Sequence, residues 1–492
     1  MTTGAAHPPP PAGRRPSPQS RSSLWPLLLA TGLACLLAGL TPMPATPGLG
    51  SPSGPRLVAT RPGSSSWPAS FWFGRASELD NYVDVRVHYD DQALYLWANV
   101  VDYYLWWDAS AQGDPRDFDS IAFYLDTAGS QANAPMPTSL FFVSGYHWWP
   151  SGNDVRWHRQ GRGTGASWDE SWQPTQPWTD DTGARWYVSG PNDNSDRDAG
   201  WLTTVTIPWE TLGRSTPPPA GTSWRLGAKL YDRDDRPPAI PDGSQVWPTG
   251  FLSSSPASWG SLVFDPPAYQ PRTATNQQSL VIRRESASSD AVADAWAGGG
   301  GLCGGGYFGG GDVPHPGSTT DPNLFGQNQA DVADFPCFSK SFLRFRLAGI
   351  PPGKTVVQAT LQLFHFGNSN PAEAKPTFVQ VFSILDPWDE ATITWNNAPQ
   401  ATENLGGTWV NPIPAGGSGT FVIWDVTSLV ARAYAAGESA SLALYSADLD
   451  MHSGKYFRSS EIGDAAVRPT LTVIWGDSEP SQHSVLLPRV VR

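Results

Sequence analysis

Between residues 83 and 101 apolar and polar positions alternate with period two. Val83, Val85 and Val87 alternate with Asp84, Arg86 and His88, the pattern of a half-buried strand. Asp90-Asp91 interrupts it as a turn. Leu94, Leu96 and Ala98 then alternate with Tyr95, Trp97 and Asn99, predicting the return strand of a hairpin. Runs of the same kind predict strands at 121–125, 139–143, 201–207 and 224–231, and later at 279–282, 341–347, 356–366, 377–385, 441–445 and 470–475. Residues 208–212 predict one helical turn, because Pro208 suits a first helical position. One longer helix is expected: Asp425 can cap it, Leu429, Val430, Ala433 and Tyr434 share a face, and Gly437 can stop it. Many short strands with one helix predict an all-β chain of two β-sandwich, jelly-roll-like domains.

Composition adds boundaries. Gly 49 and Pro 48 among 492 residues favour turns over long helices, and 24 Trp are incompatible with a mainly disordered chain. Residues 1–45 carry an Arg-bearing leader and an apolar run at 24–40, expected to act as a signal peptide or membrane anchor. Residues 46–66 are rich in Pro, Gly and Ser and read as a flexible spacer. A Trp-rich region follows at 67–266, then a linker at 267–278, a second β region at 279–476 and a tail at 477–492. The membrane is expected to matter only through the N-terminal segment, and the body is expected outside the cell, secreted or at the cell surface.

Charge narrows the partners. Arg14, Arg15 and Arg21 are the only charged residues before position 46, which leaves 29 basic against 45 acidic residues in the remainder. Such a body repels phosphate backbones, so nucleic acid is not an expected partner. Of three cysteines, Cys35 lies in the apolar run. Cys303 and Cys337 could pair in an oxidising compartment, contributing roughly 3–4 kcal/mol by loop closure, or remain free thiols.

Two resemblances follow from short motifs in order. The run Val83 to Val101, Asp119-Ser-Ile-Ala-Phe-Tyr-Leu-Asp126, Thr206-Ile-Pro-Trp-Glu-Thr-Leu-Gly213 and Trp224 to Asp235 resembles family-nine-type carbohydrate-binding modules of the wider DOMON-like group. The Trp-rich stretch between about 146 and 186 departs from that pattern. The second region, through Ser341-Phe-Leu-Arg-Phe-Arg-Leu347, Ile350 to Leu363, Trp388-Asp-Glu-Ala-Thr-Ile-Thr-Trp-Asn-Asn-Ala-Pro399, Trp424 to Val430 and Arg468 to Val473, resembles the DNRLRE-domain family of secreted bacterial proteins. These resemblances imply β-sandwiches that bind sugar without catalysis, the first often calcium-bearing, the second serving adhesion or targeting.

Sugar binding has a physical requirement. A pyranose offers a flat, slightly positive patch of C–H groups that lies on the negative face of an indole. Covering on the order of 60 Å² of ring contributes about 1.5 kcal/mol. Trp106, Trp107, Trp148, Trp149, Trp168 and Trp172 are the sugar-binding candidates, each set against ordinary core packing. Asp232, Asp234 and Asp235 are candidate oxygen ligands for calcium, set against ion pairing with the alternating Arg233 and Arg236. No other cofactor is suggested. The pairs Asp169-Glu170 and Asp389-Glu390 have glycosidase chemistry, but adjacency in sequence does not place them across a cleft. The reading is an exported, non-catalytic protein whose partner is polysaccharide or cell-surface glycan. A structural surface protein without a sugar pocket and a polysaccharide-cleaving protein are the alternatives.

Overall fold

The computed structural model describes residues 55–478, apart from 60, 62–68, 111, 148–154, 185–190, 196, 235–244, 287–288, 300–311, 320, 327–337, 369–370 and 447–453. The expected signal or anchor segment lies outside the described residues, as do Trp148, Trp149, Asp235, Cys303 and Cys337. The chain is nearly all β and builds sheets of 14, 5 and 6 strands.

The expected hairpin pairs Tyr82–Tyr89 with Ala93–Val101. In its turn Asp90 Oδ1 accepts the N–H groups of Gln92 and Ala93 at 2.7 and 2.9 Å. Phe71–Gly74, Trp201–Pro208 and Thr179–Ala184 complete the five-stranded sheet. Val83, Val85, Val87, Leu94 and Leu96 on that sheet meet Ile121, Phe123, Leu125, Trp224 and Leu226 of the long sheet in one core. This is the first sandwich.

In the second, the other half of the long sheet faces six strands led by Lys354–Asn368 and Thr470–Ser478. Leu343, Leu361, Leu363, Val379, Trp424, Leu442 and Leu471 fill the gap between them. The helix is Thr427–Ala436, with Asp425 Oδ1 accepting the Thr427 N–H at 2.9 Å and Gly437 ending it at φ 73°, a left-handed value that favours glycine. Trp209 to Gly213 form consecutive turns rather than the helical turn expected at 208–212. Pro208 still pairs in the sheet with Ala93, so only Trp209 to Gly213 are free to curl.

Arg56–Ala59 falls in a stretch whose composition reads as a spacer, yet it forms a strand because Leu57 and Ala59 reach the first core. It lies parallel to Gly260–Phe264, and Arg56 also pairs with Glu403. The Asn404 amide prolongs this seam, accepting the Val58 N–H at 2.7 Å and donating to its carbonyl at 3.0 Å. One sheet therefore runs through both sandwiches.

The polar side chains of the first hairpin strand do not meet water, contrary to the half-buried strand that alternation predicts. Asp84, Arg86 and His88 are fully buried. The reason is a third packed layer, where Trp72, Ala76, Tyr82 and Val101 meet Phe342, Phe382, Trp395, Ala443 and Tyr445 of the second sandwich. At its centre the Lys340 ammonium lies 4.4, 4.8, 3.5 and 4.3 Å from the ring centroids of Trp72, Tyr82, Trp395 and Tyr445. It donates to the Tyr82 hydroxyl. Asp84 accepts from the Tyr82 and Tyr445 hydroxyls at 2.7 and 2.6 Å. Burial pulls Lys340 down to about 7, against the opposing pull of Asp84.

This fixes the sign of a pH effect. The unfolded lysine holds its proton up to about 10.5, whereas the folded one begins to release it near 7. Between these values the unfolded state binds more protons, so the contribution of Lys340 to stability rises with pH. Urea unfolding of the wild type is expected to gain on Lys340→Met by up to about 1.4 kcal/mol per pH unit across pH 7 to 9. Parallel pH profiles for the two proteins would contradict this account.

Candidate functional site

In the first sandwich, side chains far apart in sequence converge on the loops that follow Ala93–Val101 and Ser223–Tyr231. Asp102, Asp232 and Asp234 each bring a carboxylate oxygen within 4.8 Å of the others. Asp102 is held by the Asn81 amide at 3.1 Å and the Tyr104 N–H at 3.0 Å. Neither oxygen of Asp232 has a hydrogen-bond partner, although both are buried. Asp119 joins from the adjacent strand, accepting the Trp106 N–H at 2.5 Å and the Arg233 N–H at 2.8 Å.

Burial, followed by the charge of Asp102 and then of Asp234, raises the Asp232 carboxyl to about 9. Asp102 is raised well above the carboxylate range by burial and by Asp234, and Asp119 by burial and by Asp102 and Asp232. Carboxylate oxygens crowded this way, two of them unpartnered, are a donor set suited to a hard divalent cation such as calcium. Asp232 and Asp234 thus stand together as the sequence reading expected, and Asp102 and Asp119 are additions. They lie over a hundred residues upstream, so no local window could have paired them with Asp232.

Trp106 adjoins this cluster through its backbone N–H on Asp119. Its indole N–H donates to Asn194 Oδ1 at 2.9 Å, and the Arg233 guanidinium lies 5.5 Å from its ring centroid. Trp106, Trp107, Trp168 and Trp172 are all half-buried. Trp107 lies 5.4 Å from Trp157, Trp168 lies parallel to Trp259 at 6.4 Å, and Trp172 packs on the first core. The structure brings Trp106 to the acidic cluster, sets Trp107 against the first core, and leaves Trp168 on the opposite face of the long sheet, in the small cluster around Tyr124 and Phe251.

Among the described residues the one exposed tryptophan is elsewhere. Trp409, 47% exposed, sits on Glu403–Val410 in the second sandwich and pairs with Phe378, ring centroids 5.6 Å apart. On Thr420–Asp425, a strand of the six-stranded sheet, Phe421 and Ile423 point outward at 44% and 53% exposed, while Val422 and Trp424 point into the core. Phe364 stands opposite Phe421, 5.1 Å away, and the Thr408 hydroxyl donates to the Ile423 carbonyl at 2.8 Å, tying the two strands together. Further along the same face the Arg458 guanidinium lies 3.7 Å from the Phe366 ring centroid. The sequence reading passed over these residues because it looked for clustered tryptophans. The available signal was Phe421-Val-Ile-Trp424, an unbroken apolar run in a strand with one face toward solvent.

Asp169, Glu170 and Asp389 of the adjacent carboxylate pairs are each engaged by hydrogen bonds. Glu170 accepts both Nη groups of Arg116 at 3.0 and 2.9 Å, Asp169 holds Ser171, and Asp389 Oδ1 accepts the Ala391 N–H at 3.0 Å. An open cleft of about 540 Å³ between the sandwiches is lined by polar groups, among them Arg75, Asp312, Thr392 and Asn396. No helix among the described residues is long and apolar enough to cross a membrane.

Comparison with known proteins bears most on the second sandwich. Residues 317–474 match carbohydrate-binding module family 96; the DNRLRE assignment has no such match. No curated protein matches the chain. Among solved structures, a family 9 carbohydrate-binding module from Caldicellulosiruptor kristjanssonii in complex with cellotriose aligns at 15% identity and a TM-score of 0.28, over 44% of this chain and 99% of that one. Its complex with glucose aligns at 15% identity and a TM-score of 0.28, over 43% and 97%.

Proposed function

We propose that this is an exported, non-catalytic protein that binds polysaccharide through the aromatic surface of its second sandwich. The observation that carries the reading is the exposure of Trp409 on the long sheet and of Phe421 and Ile423 on the six-stranded sheet, all inside the segment matching a carbohydrate-binding module family. Exposed indole and phenyl faces held on rigid strands lose little conformational entropy when a sugar ring covers them. One or two such contacts, less the cost of association, correspond to affinities of about micromolar to millimolar. Export accords with the N-terminal apolar run and with glycan partners outside the cell.

The first sandwich contributes a calcium site at Asp102, Asp232 and Asp234 beside Trp106. Held there, the ion would neutralise the cluster and fix the loop that carries Trp106 and Trp107. That loop is the second surface on which a sugar could stack.

Affinity electrophoresis through gels containing soluble polysaccharides tests the main reading. Trp409→Ala and Phe421→Ala are expected to weaken retention at least about fivefold each, the loss of roughly 1 kcal/mol of stacking, with melting temperatures within about 2 °C of wild type because both side chains are largely exposed. Wild-type protein that migrates freely through every polymer, insoluble ones tested by pull-down included, would refute it.

The calcium site has its own check. In chelator, Asp232→Asn is expected to melt at or above the wild type, because it removes a buried carboxyl crowded by two others. Adding calcium should raise the wild-type melting temperature more than that of the variant. An equal rise in both would remove Asp232 from the site.

A further inference from the structure

A second carboxylate cluster lies in the other sandwich and shares no residue with the first. Asp294 sits on the strand Val292–Gly299, Glu390 in the loop after Thr377–Ser383, and Glu461 just past Lys455–Arg458. One oxygen of each lies within 4.8 Å of the others. Two oxygens at about 2.4 Å from a common calcium can be at most about 4.8 Å apart, so the spacing fits a shared ion.

The three side chains are aimed by the fold. The Asp294 N–H donates to Glu390 Oε1 at 3.2 Å, and Asp294 Oδ2 accepts the Ser460 N–H at 2.9 Å. Glu461 accepts the hydroxyls of Ser459 and Ser460 at 2.7 and 2.8 Å and pairs with Arg284. It also presses against backbone, since a Cβ added at Gly317 would come 1.9 Å from Glu461 Oε2.

One atom is left over. Asp294 is wholly buried, and its Oδ1 has no hydrogen-bond partner. A buried, unpartnered carboxylate oxygen is strongly unfavourable. The neighbouring charges do not relieve it. Arg284 is paired with Glu461, and Arg344 acts on Glu390 while its own Nη1 donates to the Trp388 carbonyl at 2.6 Å. Burial, and then the charges of Glu461 and Glu390, disfavour the charged form of Asp294. A cation among the three oxygens reverses the sign of that interaction. With oxygen donors alone and partial burial, calcium suits the site better than a metal that prefers nitrogen or sulfur.

We propose that Asp294, Glu390 and Glu461 form a second calcium site, one that pins the Trp388–Thr392 loop and the 459–461 turn to the strand Val292–Gly299. The test uses the full chain, freed of metal and titrated with calcium alone by calorimetry, as wild type, Asp294→Asn, Glu390→Gln and Asp232→Asn. Asp294→Asn and Glu390→Gln are each expected to lose one equivalent of calcium or to bind it at least about tenfold more weakly, whereas Asp232→Asn retains that equivalent. In chelator Asp294→Asn should melt no lower than wild type, because it removes buried charge. Calcium binding unchanged in both Asp294→Asn and Glu390→Gln would overturn the site. So would a wild-type chain that takes up no calcium, or whose only uptake disappears with Asp232→Asn. If Asp294→Asn fails to fold, Glu390→Gln decides alone, since Glu390 lies in a loop outside the core.

Discussion

The arrangement of the whole body depends on burying the polar side chains of one hairpin strand. Asp84, Arg86 and His88 would ordinarily face water, and enclosing them is unfavourable unless each finds a counterpart. Lys340 and the aromatic rings around it answer for Asp84, two tyrosine hydroxyls complete its shell, and Trp97 lies 5.6 Å from the Arg86 guanidinium. An ammonium among aromatic faces gains about 2 kcal/mol or more when desolvated, but only if all of those rings are in place. The layer therefore selects one geometry: a shift that separated Trp395 and Tyr445 from Trp72 and Tyr82 would take the Tyr82 hydroxyl from Lys340 and the Tyr445 hydroxyl from Asp84.

The backbone reinforces that choice. Arg56–Ala59 is parallel to Gly260–Phe264 on one side and meets the Glu403 strand on the other, with the Asn404 amide standing in for the ladder where the main chains diverge. Glu403 at this junction pairs with both Arg56 and Arg432. A polar seam and a cation-centred core act together, so the two sandwiches behave as one body. For a polymer ligand this matters, because two weak contact surfaces held at a fixed separation raise avidity only where the spacing matches the repeat of the polymer.

Much of the fold was legible in local pattern. The 82–101 hairpin, the strands around 121, 139, 201 and 224, and the helix with its Gly437 stop all follow from periodicity and turn chemistry. What was not legible is what lies against the second face of a strand. Alternation at Asp84, Arg86 and His88 looks the same whether solvent or another sandwich faces it, and the covering residues lie more than 250 positions downstream. The Arg56 strand was hidden for a related reason: its Pro- and Ser-rich surroundings describe a spacer, and only its partners at 260 and 403 make it a strand. At the candidate sites Asp232 and Asp234 stood out as neighbours, whereas Asp102, Asp119 and Asp294 are isolated acids whose importance appears only when folding crowds them.

Tryptophan abundance carried a different message from the expected one. In the first sandwich Trp178, Trp201, Trp209, Trp224, Trp247 and Trp259 are among the largest fully buried side chains, and they fill the space that a strand-rich, helix-poor domain must close with bulky groups. A large ring buried this way contributes its area to stability and nothing to a ligand. Trp409 differs because Val410 beside it already supplies the core contact, leaving the indole to cover only the neighbouring Phe378. Phe421 and Ile423 repeat the logic, since Val422 and Trp424 satisfy the interior and the outward pair adds no core contact of its own. Apolar side chains that the fold does not need, held on the outer faces of rigid sheets, are the surfaces from which a contact with a partner can be built.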